Sequence, residues 1–279
     1  ITLSGGGTEK RYTLNGVIDL KDTPKAILEQ LKTSCAAQIF EANGEWKIRV
    51  GKYIEPVSSI TLDDLRGPIK VDTRVSGRNQ FNAVKGIFVS PESNWQPTNF
   101  PETSSTVFES EDGGERKYAD ITLPFTTSSA TAQRLSKQAL YRNREQIIVT
   151  LPCKLTAFKY LIGDTVKFTN PRFGWDEKVF EVIGWKLVPV INDSGTTLGV
   201  DLALKETSAA IYQWDGSIDE KAFTYNNTTL PSPFDQTPPN LAVSDNLRTL
   251  NEEVVSELIV DVVSVASFIG RDEVEAIKA

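Results

Sequence analysis

The sequence has no histidine, no methionine and only two cysteines in 279 residues. Without histidine there is no HExxH zinc site, no Ser-His-Asp triad and no Cys-His pair, so any catalysis would rest on carboxylates, lysine or tyrosine. Cys35 and Cys153 are too few for a disulfide framework. They read as two reduced, packed thiols suited to a reducing compartment. No apolar run approaches the ~18 residues of a spanning helix. Ile1 to Gly5 forms neither a basic nor an apolar leader region. A chain without Met that begins at Ile1 reads as an internal piece of something longer. Basic excess is lacking as well. A net charge of −7 argues against a general nucleic-acid binder and against an anionic membrane surface.

What is present is ordinary for a globular protein: 39% apolar and 24% charged residues, enough for a sizeable core. The length suggests about two domains. The stretch from Thr127 to Trp185 organises the rest. Ala132, Leu135, Ser136, Ala139 and Leu140 recur at helical spacing, which predicts a helix over 127–145 with Thr126, Thr127 or Ser128 as its cap. Extended segments follow at 146–151, 166–168 and 179–185, punctuated by Gly163-Asp164 and Phe173-Gly174-Trp175.

Upstream, Asp22-Thr23-Pro24 starts a shorter helix, with Ile27, Leu28, Leu31 and Cys35 expected on its buried face. Asn43-Gly44 between alternating runs predicts a hairpin with Trp46, Ile48 and Val50 on one face. Residues 82–89 read as a strand in which Gly86 marks a bulge or a close approach. Residues 90–106 read as a long surface loop carrying Trp95 and Phe100, and 118–123 as another strand. A second hairpin is expected across Asn192 to Gly195. Composition shifts at Asp215, and prolines from 231 to 239 mark a semi-rigid linker.

The runs Ala132-Gln133-Arg134-Leu135, Arg142-Asn143-Arg144, Leu161-Ile162-Gly163-Asp164-Thr165-Val166, Gly174-Trp175 and Lys178-Val179-Phe180-Glu181-Val182 resemble, in order and spacing, the tip attachment proteins of long flexible phage tails, the lambda-type protein J and its prophage relatives. Asn43-Gly44-Glu45-Trp46-Lys47-Ile48-Arg49-Val50-Gly51, Thr61-Leu62-Asp63-Asp64-Leu65 and Tyr212-Gln213-Trp214 add to the resemblance. It implies an α+β, β-rich fold of hub domains with one long helix: an α/β hub subdomain at 1–68, a β-rich hub domain at 69–215, a linker at 216–237 and a partial fibronectin type III segment at 238–279. Pro239 to Val243, Ser256 to Val263 and Val274 to Lys278 would supply its first three strands. That segment is too short for a sandwich of about seven strands, so it is expected to be poorly ordered or to pair with something else. The function implied is structural, not enzymatic, and needs no cofactor. Such a chain sits at the virion tail tip after assembly in the host cytoplasm, as a homotrimer with other tip and tube proteins. It closes the tube, opens for DNA passage, and reaches the host receptor through regions outside these residues.

The candidate contact residues are Trp95, Trp175, Arg134, Arg142 and Arg144. The two tryptophans could stack on sugars in a carbohydrate-binding adhesion module, or on a subunit neighbour. Arg134, Lys137, Arg142 and Arg144 could line a channel for nucleic acid, or form a solvated or salt-bridged helix face. Tight nucleic-acid binding is not expected of an ejection channel. Asp63 and Asp64 could serve a carboxylate-dependent cell-wall hydrolase, against the plainer reading that they favour a helix N-terminus. Glu109, Glu111, Asp112 and Glu115 could bind Ca²⁺ but lack EF-hand spacing, and read as a solvated turn around Gly113-Gly114.

Overall fold

A computed structural model describes residues 1–42, 44–73, 77–192, 195–225, 240–250 and 253–263. The chain divides into two compact units, Ile1–Tyr225 and Asn226–Ala279. The first begins with an irregular segment, then helix α1 (Pro24–Thr33), hairpin strands β1 (Gln38–Ala42) and β2 (Glu45–Arg49), and short strands β3 (Ser58–Ile60) and β4 (Lys70–Asp72). Strands β5 (Ala83–Val89), β6 (Pro97–Asn99) and β7 (Thr103–Ser104) precede helix α2 (Thr106–Glu111), strand β8 (Tyr118–Leu123) and the long helix α3 (Ser129–Arg144). Strands β9 (Ile148–Lys154), β10 (Thr165–Asn170), β11 (Trp175–Asn192) and β12 (Gly195–Glu206) follow, and the short helix α4 (Gly216–Asp219) comes last. The class is α+β and β-rich, as the sequence led us to expect.

The larger sheet has six strands in the order β3-β10-β11-β12-β9-β4, antiparallel except where β3 meets β10. It draws strands from both sides of residue 68. Period-two alternation puts Val149, Leu151 and Cys153 of β9, Val166 and Phe168 of β10, Phe180 and Val182 of β11, and Val200, Leu202 and Leu204 of β12 into one core. A bulge between Val182 and Gly184 shifts the register, so Trp185 and Leu187 lie opposite Leu202 and Val200 on that same core face. Cys153 is fully buried there, which pushes its thiol up to about 12, with Asp64 adding to the shift. Cys35 is a separate, half-buried thiol.

The smaller sheet centres on β5. β8 runs parallel along one edge, and β6 and β7 pair antiparallel with successive parts of the other. Gly86 is the close approach the sequence marked: a Cβ there would sit 1.9 Å from the Ile121 carbonyl oxygen of β8. Phe88, Phe100, Leu123, Ala132 and Leu135 form the second core, between this sheet and α3. The expected surface loop at 90–106 is therefore corrected. Its chain returns along β5 as β6 and β7, and Phe100 is buried edge-on to Phe88, with ring centres 6.4 Å apart.

Of two expected apolar faces, that of α1 is only half-buried, at Ile27, Leu31 and Cys35, and that of the first hairpin points outward. α1 starts as anticipated, with the Thr23 hydroxyl capping Ala26 N and Pro24 in the first turn, but it buries no residue and Leu28 is exposed. The β1–β2 hairpin buries Phe40 and turns Trp46, Ile48 and Val50 outward. Residues 216–225, read from composition as linker, pack on α3. Gln133 and Lys221 exchange two hydrogen bonds (2.9 and 2.8 Å), and the Phe223 ring lies 5.3 Å from Phe88. In the second unit, β13 (Asn240–Leu250) and β14 (Glu253–Val263) form an antiparallel hairpin. The strand expected at 274–278 lies outside the described residues.

Candidate functional site

The helix α3 is polar in composition yet buried on most of its circumference. Ser128 caps it by accepting from Thr131 N at 3.2 Å. Its four cations each find an anion on a different segment. Arg134 is 1% exposed, and its Nη2 donates to Glu9 Oε1 at 2.9 Å, to the Arg11 carbonyl at 2.7 Å and to Thr131 Oγ1 at 2.9 Å. Its guanidinium also lies 5.6 Å from the Trp214 ring. Lys137 Nζ pairs with Asp219 of α4 at 2.7 Å. Arg142 Nη2 pairs with Glu181 of β11 at 2.7 Å. Arg144 grips Asp112, the cap of α2, through both of its terminal nitrogens.

These contacts decide what the helix can do. A wall that tracks phosphates must present cations to solvent. Here the cations are turned inward and neutralised, so the helix fastens the N-terminal segment, α2, β11 and the 216–225 strap to one another. Of the solvated or salt-bridged face expected here, the structure shows the salt-bridged one; the stripe at 132, 135, 136 and 140 is buried as expected, and so is Arg134 beside it. Glu9, Asp112, Glu181 and Asp219 were not singled out from sequence as partners of the helix. Glu9 lies 125 residues from Arg134, and no local pattern links them.

Asp112 is also not part of a solvated turn. Its carboxylate takes the Arg144 bonds and one from Asn82 Nδ2 at 2.9 Å, and the Arg144 contact holds its carboxyl below the usual range. Glu109 pairs with Arg116 at 3.0 Å. Among the described residues no group of three or more His, Cys, Asp or Glu side chains is arranged to hold a metal ion. Asp64 accepts from Thr61 N at 2.9 Å and Thr61 Oγ1 at 3.1 Å, which uses its carboxylate to shape a short turn.

The tryptophans differ sharply. Trp175 is half-buried and lies 4.9 Å from the ring of Phe173, 5.5 Å from Phe180 and 6.1 Å from Phe168, closing the larger core. Trp95 is 61% exposed and follows Asn94 in the left-handed region, at φ 62 after φ 53. A bulky residue there costs on the order of 1–3 kcal/mol. The turn therefore holds an indole in solvent against backbone preference.

A cleft of about 740 Å³ lies between α2 and the end of α3, lined by Phe108, Asp112, Tyr141, Arg144, Glu145 and Glu206 among others. Asp112 is held by Arg144 and Glu206 by Lys178. Glu145 ends α3 and accepts from Ser208 Oγ at 2.8 Å. Burial, then the neighbouring Glu206, pushes its carboxyl above the usual range. A helix C-terminus disfavours a negative charge for the same reason. A raised folded value means that Glu145 contributes stability in full below its ordinary value of 4.5, and that this is lost as pH rises through the folded value. Glu145→Gln is expected to resist urea better than wild type at pH 7, with the advantage shrinking at pH 4.5. A variant weaker than wild type at pH 7 would show that the charged form is well accommodated.

Residues 23–185 match the family model described as "Putative phage tail protein". The baseplate hub protein pb3 of Escherichia phage T5 is 25% identical over 233 residues, which is 81% of this chain and 23% of pb3. The chain thus spans less than a quarter of that relative. A chain in the virion of a native gene transfer agent particle shares the fold, with a TM-score of 0.53 and 15% identity over 71% of this chain and 42% of that one. The 43 kDa tail protein of prophage MuSo2 from Shewanella oneidensis aligns at a TM-score of 0.44 and 14% identity, over 70% of this chain and 54% of that one. With residues 23–185, more than half of its length, inside the family model, the chain belongs to the phage tail protein family.

Proposed function

We propose that this chain is a structural piece of a phage or prophage tail tip, in the hub that closes the tail tube, and that it acts by assembly and not by catalysis. The observation that carries the reading is an inversion of the usual surface. The cations of the central helix are spent inside the fold, while Val17, Leu20, Trp46, Ile48, Phe158 and Leu198 are left in water. A free-standing domain gains nothing from such exposure, whereas a subunit covers it on assembly. The similarity to a baseplate hub protein over 81% of the chain supports the same place in the particle. In this reading the chain works as a homotrimer with other tip and tube proteins, after assembly in the bacterial cytoplasm. DNA passes without tight binding to α3. Host attachment rests on regions beyond these residues, and the β13–β14 hairpin opens a fibronectin type III module.

The test is to decorate purified virions of the parent phage with an antibody raised against residues 1–225 and image them by electron microscopy. Label at the distal tail end is the expected result. Label on the head or along the tube, or none on intact or tip-opened particles, would sink the assignment.

One observation favours a second reading. The strained, exposed Trp95 suits stacking on a sugar ring. A glycan array bound by wild type and not by Trp95→Ala would support a carbohydrate-binding adhesion role, and an array silent with wild type would end it.

A further inference from the structure

The smaller sheet ends in a strand that lacks a neighbour. β8 pairs with β5 along its whole length, and among the described residues no strand pairs with its other edge. Among the same residues no other hydrogen bond reaches the backbone of 118–122 from that side. Such an edge presents a row of unpaired N–H and C=O groups, which proteins guard with proline, lysine, a bulge or a covering element. The run Tyr118-Ala119-Asp120-Ile121-Thr122-Leu123 has no proline and no lysine, and its register with β5 is unbroken. Its single charge, Asp120, lies 3.8 Å from Lys85 of β5.

The edge opens into a groove of about 520 Å³. Residues 120–123 all line it, and because side chains alternate between the two faces of a sheet, successive residues share a cavity along the backbone edge. Leu135 and Ala139 of α3 supply aliphatic surface. Ala37 and Gln38, where β1 begins, form part of the wall, and among the described residues β1 pairs with β2 alone, so its second edge is open as well. α1 reaches the groove through Thr33 but buries none of its own residues. The larger polar side chains of α3 in the lining are engaged elsewhere, Arg142 on Glu181 at 2.7 Å and Gln138 on Tyr12 at 2.8 Å. What stays open is strand backbone beside aliphatic side chains.

That combination selects its occupant. An ionic ligand would find the charges already paired, and a purely aliphatic one would leave the N–H and C=O row unmet in a site that it had dried. A row of partial charges, donor and acceptor in turn at strand spacing, is complemented by the backbone of another strand. Because α1 and the start of β1 wall the groove, it admits a lone extended segment and excludes the edge of a second folded sheet, such as β8 of another copy. We propose that the open edge of β8 receives an extended segment of a different polypeptide, which adds as the next strand and sets small aliphatic side chains against Leu135 and Ala139. The tail-hub reading says that neighbours are bound; this goes beyond it in saying how one of them is held.

The test reads hydrogen exchange residue by residue in the 279-residue chain. The probe is a synthetic peptide of alternating valine and threonine between terminal lysines, and its control is the same peptide methylated at every backbone nitrogen. The probe is expected to slow the β8 amides that face away from β5 at least about tenfold, with β9 and β12 unchanged and no effect from the control. Ala139→Phe, which fills the groove from α3, is expected to weaken the probe at least about tenfold at an unchanged melting temperature. In intact tail tips of the parent phage the same amides are expected to exchange more slowly than in the isolated chain. Four results would each overturn the proposal: outward β8 amides already protected in the isolated chain, a methylated control as effective as the probe, equal exchange in tips and isolated chain, or protection that the chain acquires by itself as its concentration rises, which would seat a second copy there. None of these touches the tail-tip assignment, which fails separately if the antibody leaves the tip unlabelled.

Discussion

Glu9→Ala is expected to lower the melting temperature of the chain by roughly 10 °C. The Arg134 guanidinium is 1% exposed, and Glu9 is the only carboxylate among the described residues that pairs with it. Removing one partner of a buried ion pair strands the other charge out of water, at a cost of about 3–5 kcal/mol. A unit of this size loses about 2–4 °C per kcal/mol. Glu9 also accepts from Ser128 Oγ at 2.9 Å and Thr131 Oγ1 at 3.2 Å, so its loss loosens the start of α3 as well. Arg134→Met should cost less, because it removes the charge that cannot reach water and leaves Glu9, which can. Lys10→Ala, one residue from Glu9 but exposed, should leave the transition unchanged within error. Calorimetry on the three variants checks the order. A Glu9→Ala chain melting with wild type would mean that the Arg11 carbonyl and Thr131 satisfy the guanidinium without a counter-charge.

Gly86→Ala is expected to cost about 3 kcal/mol or more, the upper range for overpacking, because the added methyl meets backbone instead of a yielding side chain. The 1.9 Å approach to the Ile121 carbonyl can be relieved only by moving β8 off β5. Among the described residues β8 pairs with no other strand, and the core between this sheet and α3 includes Leu123 at its end. Urea unfolding should show an early loss of the smaller sheet. Gly5→Ala, with nothing within 4 Å of the added atom, is the control. A Gly86→Ala chain as stable as the control would mean that β5 and β8 lie further apart than described.

What could be read from the sequence was set by short-range rules. Ser128 and Thr23 cap their helices, Gly44 turns the first hairpin, Gly86 lets two strands close, and β11 pairs with β12 out to Asn192 opposite Gly195, because each depends on residues a few positions apart. What could not be read depended on partners far along the chain. Arg134 sits off the apolar stripe and would be solvated in an isolated helix. It turns inward because Glu9, near the other end of the unit, is waiting there. Phe100 belongs to a stretch rich in proline and serine, and is core only because β6 returns along β5. Trp46, Ile48 and Val50 share a face as their alternation requires, yet alternation cannot say which face is dry, and Phe40 took that place. Family resemblance did reach the coarse result, a phage tail protein, because order and spacing over many residues survive where single motifs do not.

The most direct measurement is a cryo-electron microscopy reconstruction of the intact tail tip of the parent phage. The account predicts copies of residues 1–225 repeated around the tail axis. Each should keep α3 enclosed, with Arg134, Lys137, Arg142 and Arg144 on Glu9, Asp219, Glu181 and Asp112, and should have its exposed apolar residues covered at contacts between chains. A tip without this fold, or one in which those four cations have left their partners to face the lumen, would contradict it.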